Sequence, residues 1–382
     1  MVKILHTGDL HLDSPMSSLE LGAAEAARDG HRKVFAKMMQ YAIDEKIDMI
    51  LICGDLFDGK YITPCTKELV IKYFSEFKKP IIIAPGNHDP YSAISIYRNG
   101  ALPENVYVYS SEELQVFDFD ELGVSVYGYA FLSPSLRHSP LSAFPAMTYR
   151  NGDNKRILCA HAELQATSSN YAPITVGEIE QYGFSYAALG HIHNPPKINS
   201  DKTLINYCGF LFGRSYDELG DGGAFVVTIN ENKTSADRIV FSEQRFARDE
   251  LDVSGARDTK DIEAKISEFI TKKGYGTNTS LRLSLLGTLP LELHVDQKAL
   301  ERFPHGLAEL NVKDITTPMP DGEYLENDPS LRGELYRTLL PKLRSDDAEG
   351  RKCALEALRL ALCAIDGINL SNVIGTDEED LI

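Results

Sequence analysis

The chain has 382 residues, 43% hydrophobic and 25% charged, with a net charge of −17 and a pI near 5.1. That length exceeds one compact core and calls for two or three domains, and no apolar stretch approaches the roughly 20 residues of a membrane span. The acidic balance argues against a protein that holds nucleic acid by bulk charge, although carboxylates offset by bound cations, or local basic clusters, escape that argument.

The N-terminus, Met1 to His6, runs straight into an apolar segment and lacks signal-peptide anatomy. The cysteines, Cys53, Cys65, Cys159, Cys208, Cys353 and Cys363, show no CxxC spacing. Reduced thiols and a cytoplasmic location are the expectation, with Cys53 and Cys159 as small buried hydrophobes.

Five short apolar runs punctuate the first half: VKILHT to His11, DMILIC to Asp58, PIIIAP to Asp89, RILCA to Glu163 and SYAAL to His193. Short apolar runs are how buried strands of an α/β sheet read. Between the first two, Ala24–Glu45 predicts a helix, with Val34, Met38, Tyr41 and Ala42 on one face. Thr66–Phe77 predicts a second helix, stopped by Pro80. Strands are expected at Val106–Tyr109, Glu113–Phe119, Val124–Tyr129, Leu204–Tyr207 and Gly223–Ile229, and a short helix at Thr175–Gln181. The pattern predicts a sandwich of two mixed sheets with helices outside, an α/β (α+β) fold over residues 1–247.

Gln244–Ser254 is polar and reads as a linker. Beyond it a smaller α+β unit is expected over 255–325, with helices at Asp261–Lys273 and Gln297–Phe303 and strands at Leu281–Leu286 and Ala308–Ile315. Pro318, Pro320 and Gly322 break the chain. C-terminal helices at Ser330–Leu343 and Asp347–Ile365 and an acidic tail, Thr376–Ile382, fill 328–382.

The chemistry sits where the apolar runs stop. Asp9 and His11 follow the first, Asp55 and Asp58 the second, Asn87, His88 and Asp89 the third, His161 the fourth, and His191 and His193 the fifth. Each motif alone has a bland explanation in a turn or a hydrogen-bonded loop. Jointly they describe one metal site, because ligands in such sheets gather at the carboxyl ends of the strands. The mixture of Asp, Asn and His favours borderline cations, with Mn²⁺ first and Fe²⁺, Zn²⁺ or Mg²⁺ as alternatives. The ligands are too many for one ion and fit two divalent ions sharing a carboxylate, a centre suited to phosphate esters. His88 is then the candidate for proton work on the leaving oxygen, with Asp89 expected to orient its ring.

The ordered set DxH, GDxxD, GNHD, H and GHxH resembles the calcineurin-like metallophosphoesterase superfamily. The flanks ILHTGDLHLDSP, LICGDLFD, APGNHD, SVYGYAF and ALGHIH resemble SbcD-type DNA repair exonuclease subunits, and HLDSP their YhaO-like branch. The resemblance covers about residues 1–245. It implies Asp9, His11, Asp55 and His193 around one metal, and Asp55, Asn87, His161 and His191 around the other. It also implies a non-ligand catalytic His88, a DNA-holding capping domain over Asp261–Ile315 and C-terminal helices docking an SMC-like coiled-coil ATPase. Leu355, Leu358, Leu362 and Ile365 form a stripe suited either to that docking or to packing within the chain. A homodimer through Ala24–Glu45 is a further implication. Asp58 departs from the eukaryotic and archaeal pattern, where His is usual, and Cys208-Gly209-Phe210 departs from Pro-Gly-Ser. Lys60, Tyr61, Tyr91, Arg98, Arg137, His138 and Tyr171 follow the ligand loops and are candidates for DNA contact.

Three activities compete: a DNA nuclease of double-strand-break repair, with 3′–5′ exonuclease and single-strand endonuclease action; a small-molecule phosphodiesterase or nucleotidase; and a non-catalytic scaffold for DNA or an ATPase. The intact ligand set counts against the scaffold.

Overall fold

Runs dense in Ile, Leu and Val make central strands because their side chains fill both faces of a covered sheet. In the computed structural model, which describes residues 1–16, 21–59, 62–99, 102–142, 154–165, 169–231, 233–290, 293, 295–319, 322–365 and 367, the chain divides into two units, Met1–Ala247 and Arg248–Ile382.

The first unit opens with β1 (Val2–Thr7), α1 (Leu21–Asp44), β2 (Met49–Ile52), α2 (Pro64–Phe77), β3 (Ile81–Ile83) and β4 (Val106–Val108). It continues through β5 (Gln115–Phe119), β6 (Val124–Gly128), β7 (Lys155–His161), β8 (Glu163–Leu164), β9 (Pro173–Ile174), α3 (Val176–Gln181), β10 (Tyr186–Gly190), β11 (Leu204–Tyr207) and β12 (Gly220–Ile229). β13 (Thr234–Asp252) starts in this unit.

Strands β1 to β4 lie side by side in parallel, with β12 antiparallel on the free edge of β1 and β13 antiparallel beside β12 as far as Phe246. The second sheet runs β11-β10-β7-β6-β5, parallel except for the β5–β6 pair. Ile4, Met49, Leu51 and Ile82 of the first sheet meet Val126, Ile157, Tyr186 and Ala188 of the second. The outer face of the first sheet packs on Phe35 and Met38 of α1 and on Val70 and Phe74 of α2. Ile179 of α3 joins the cluster on the second sheet. Two mixed sheets with helices outside are the architecture expected of the sequence. Cys53 and Cys159 are buried within it, with sulfurs 3.6 Å apart across the sheets.

The expected linker contains the boundary between the two units, but most of it is strand and not loop. Gln244–Asp252 is strand, and exposure alternates residue by residue from Arg248 to Asp252. Its charged side chains lie along a strand with a wet face, which composition alone reads as loop.

The second unit holds α4 (Thr259–Lys273), β14 (Thr279–Leu286), β15 (Thr288–Pro290), α5 (Gln297–Arg302), β16 (Glu309–Asp314), β17 (Thr317–Met319), α6 (Gly322–Asn327), α7 (Leu331–Leu343) and α8 (Ala348–Ile365). Asp258 caps α4 by accepting from Asp261 N, and Gly274 ends it in the left-handed region, leaving Ile262, Ile266 and Ile270 on one buried face. β14 pairs in parallel with β16, and β15 with β17. Half of the α8 stripe packs internally: Leu358 and Leu362 lie buried with Leu325 of α6 and against Leu335 and Leu339 of α7, while Ile365 is exposed. The acidic tail Thr376–Ile382 lies outside the described residues.

Candidate metal centre

The loops after β1 and β2 zip together beyond the strands. Asp9 N donates to Gly54 O at 3.0 Å, His11 N to Asp55 O at 2.9 Å, and Leu12 N to Leu56 O at 3.0 Å. This sets Asp9 and His11 alongside Asp55. Asp9, His11, Asp55 and His191 all sit at positive φ, with 47°, 46°, 50° and 105°. Such conformations are costly for residues with a Cβ and persist where surrounding structure forces them. Two glycines make room for the cluster. A Cβ on Gly54 would run into the His161 ring, and one on Gly86 into the Asp55 carboxylate.

Five strand ends thus bring the expected ligands together. His161 Nδ1 faces the Cys53 carbonyl at 3.0 Å, which places the ring proton there and leaves Nε2 as a lone pair. That Nε2 lies 2.8 Å from Asn87 Oδ1 and 3.5 Å from Asp55 Oδ2. His11 Nε2 lies 3.2 Å from His193 Nε2 and 3.7 Å from Asp55 Oδ2. His193 Nε2 is 3.6 Å from Asp9 Oδ1. Potential donor atoms converging at these spacings fit a ligand set around cations, since ligands at about 2.0–2.2 Å from one ion stand about 3–3.5 Å apart. Asp9, His11 and His193 form one cluster of potential ligand atoms and Asp9, Asp55 and His161 another. The Asp55 carboxylate reaches both His161 and His11, the position of a shared ligand. His191 adds a ring 5.0 Å from that of His161, with its backbone N–H donating to Asp9 Oδ2 at 2.9 Å. His88 N does the same to Asp55 Oδ1 at 2.9 Å. The His88 amide holds one oxygen of Asp55, while the His191 amide is shared by both oxygens of Asp9, with 3.1 Å to Oδ1; both fix the carboxylates in orientation.

The electrostatics are those of a site built for positive charge. Burial raises the Asp55 carboxyl to about 6, against the pull of the His11 charge. Burial works upward on Asp9 too, but the hydrogen bond to His193 and the charges of His161, His193 and His11 hold it below the usual carboxylate range. Burial and the neighbouring His161 push His191 down to about 3. Burial lowers His193 as well, yet Asp9 and Glu218 outweigh it and lift the ring to about 10. A cation taken up at His193 therefore displaces a proton.

His88 is oriented by Asp58, not by Asp89. His88 Nδ1 lies 2.7 Å from Asp58 Oδ1, leaving Nε2 clear of that carboxylate. The Asp89 carboxylate turns inward and accepts from Gly86 N at 2.9 Å, from Asp55 N and Phe57 N at 3.2 Å each, and from the Tyr97 hydroxyl at 2.5 Å. It pins the two loops that carry Asp55 and Asn87. The neighbour in sequence is thus a poor guide to the partner of a ring.

Glu218 and Arg214 are additions to the expected site. His193 Nδ1 sits 2.8 Å from Glu218 Oε1, and Arg214 Nε donates to the same carboxylate at 2.9 Å. Arg214 Nη1 then reaches Asp58 Oδ2 at 3.5 Å. The two join the ligand His193 to the pair Asp58–His88. Neither follows an apolar run ending in ligand residues, so nothing in the local pattern marks them.

The Calcineurin-like phosphoesterase family model matches residues 2–195. The chain belongs to that family. It is 25% identical over 344 residues to the uncharacterized metallophosphoesterase YhaO of Bacillus subtilis, covering 86% of this chain and 83% of that one. It is 27% identical over 259 residues to the SbcD component of the SbcCD nuclease of Staphylococcus epidermidis, covering 60% of this chain and 67% of that one. Members of the family typically bind two divalent metals, and the clusters described here are candidates to hold them. No helix among the described residues of this metallophosphoesterase is long and apolar enough to cross a membrane.

Of the residues considered for DNA contact, Tyr171 has its ring 4.6 Å from that of His191, tilted by 41°. Arg98, Arg137 and His138 are exposed, and Tyr91 packs partly into the core. Lys60 and Tyr61 lie outside the described residues.

Proposed function

We propose that this metallophosphoesterase is a Mn²⁺-dependent DNA nuclease, the nuclease subunit of a double-strand-break repair complex acting 3′–5′ on duplex ends and endonucleolytically on single strands. The observation that carries the chemistry is the pairing of a seven-residue donor set with a separately oriented histidine. Asp9, His11 and His193 would hold one divalent cation, Asn87, His161 and His191 the other, with Asp55 between them. Two cations held there would supply Lewis-acid activation of the phosphodiester and of the attacking water.

The chain's own residues do the rest. Asp58 holds His88 by Nδ1 and, with Asp55, favours its protonated form; the His88 ring is raised above its ordinary value chiefly by the Asp58 hydrogen bond. His88 Nε2 is the proton donor to the leaving oxygen. Asp89 and the glycines keep the ligand loops in register. The likeness to the SbcD component of a nuclease supports DNA as substrate and a second protein as partner, an SMC-like coiled-coil ATPase. Residues 255–325 are read as the capping domain and 328–382 as the docking region. Since Leu358 and Leu362 are covered within the second unit, docking would use another face of those helices.

The test is degradation of linear duplex DNA with Mn²⁺ by the wild type and by His88→Ala, with and without blocked 3′ ends. Cutting that needs His88 and is slowed by the block is the expected result. Hydrolysis of cyclic nucleotides without cutting of DNA would favour the small-molecule phosphodiesterase. Metal binding with no turnover of any diester would favour the scaffold.

A further inference from the structure

Beside His88 the loop after β3 encloses a cavity of about 300 Å³. Its walls are Ile62, Pro90, Ile94, Ile96 and Pro134, and Asn87 and His88 stand on its lining, so it opens onto the metal centre itself. Three of its polar side chains are already engaged. Asp89 and the Tyr97 hydroxyl are bonded to each other, Asp89 also to backbone amides, and the Ser95 hydroxyl donates to Ser92 O at 3.0 Å. Among the described lining residues there is no Lys, Arg or Glu.

We propose that this cavity receives the base of the nucleotide on the leaving side of the scissile bond, held by shape and apolar contact and not by hydrogen-bond readout. The assignment rests on the nuclease reading above. A group that gives its proton to the leaving oxygen stands next to whatever that oxygen carries, and His88 stands at this cavity. The volume is at the lower end for ligand pockets, room for one ring system and not for a dinucleotide. The walls Ile62, Pro90, Ile94, Ile96 and Pro134 carry no side-chain donor or acceptor and so cannot distinguish the edges of the four bases. Each base does offer a flat apolar face, whose burial is sequence-tolerant.

The experiment uses the full chain with Mn²⁺ and three dinucleoside monophosphates: thymidylyl-thymidine and its two analogues lacking one base. The leaving side is identified as the nucleoside released without phosphate. Removing the leaving-side base is expected to lower kcat/KM about tenfold or more, and removing the other base far less. Exchanging the leaving-side thymine for adenine, cytosine or guanine should change it less than about threefold on the same argument. Ile94, 61% exposed and so replaceable without disturbing the core, should when changed to Ser shrink the tenfold gap. Equal loss from either base, or discrimination among the four bases as large as base removal, overturns the proposal. Cleavage of none of the three overturns the nuclease reading and, with it, the leaving-side assignment. A measurement without catalysis separates the two: in EDTA-treated protein, NMR saturation transfer to thymidine should exceed that to deoxyribose and weaken in Ile94→Ser. Equal transfer to both overturns the cavity as a base site.

Discussion

The two units of this metallophosphoesterase are built from similar α/β parts and treat their polar residues in opposite ways. In the first, Asp9, Asp55 and His161 are buried at strand ends, and all the described non-glycine residues at positive φ fall here. In the second, positive φ is confined, among the described residues, to glycines such as Gly274 and Gly287. Its ion pairs are surface pairs such as Lys273–Asp249 and Arg337–Glu334. Strain and buried charge gather where the fold is shaped around chemistry, and the described residues of the second unit show neither. Breaking a polar contact should therefore cost function in the first unit and little in the second.

The largest effects belong to the centre. Asp55→Asn and His88→Ala should each reduce diester hydrolysis on the order of 10²–10⁴-fold. Steady-state rates, with bound metal counted by mass spectrometry, should show metal lost in Asp55→Asn and retained in His88→Ala. A His88→Ala enzyme with undiminished rate would remove the proton role assigned to it.

Glu218→Gln tests the link behind His193. Burial would raise the Glu218 carboxyl, but His193 and Arg214 hold it down at about 2, so it is a charged partner for that ring. Neutralising it should weaken metal affinity about 10–100-fold, measured by chelator competition, and should also lower the melting temperature of the metal-free protein, because a buried ion pair with Arg214 and His193 is broken.

The buried histidines away from the ligands set an acid limit. Burial depresses His6 and His31 to about 3 from 6.5. Between those values the unfolded chain binds protons that the folded chain refuses. The contribution of these two rings to stability is therefore full above pH 6.5 and falls as pH drops, by up to about 1.4 kcal/mol per unit for each histidine. Neither His31 ring nitrogen has a hydrogen-bond partner among the described residues, and the ring packs 4.2 Å from that of Phe212. His31→Phe should flatten the acid limb of a urea-denaturation series from pH 7 to pH 4; an unchanged slope would reject this.

The smallest effect is in the second unit. Lys273→Ala should cost under about 1 kcal/mol and leave small-diester hydrolysis unchanged. A large loss of rate would undo the contrast between the units.

The sandwich is legible in the sequence because its strands are buried on both faces, and runs such as Ile81–Ile83 have few other readings. The donor residues are legible because each closes such a run. The rest depends on contacts distant in sequence. Asp58 reaches His88 across 30 residues, and Glu218 reaches His193 from a loop with no apolar run to announce it. The strand character of Gln244–Asp252 is hidden because charged residues on a half-wet strand have the composition of a loop.

The most direct measurement is calorimetric titration of Mn²⁺ into EDTA-stripped protein. The account predicts two equivalents per wild-type chain and at most one in Asp55→Asn. Saturation at one equivalent in the wild type, or a stoichiometry indifferent to Asp55, would contradict a centre built on that shared carboxylate.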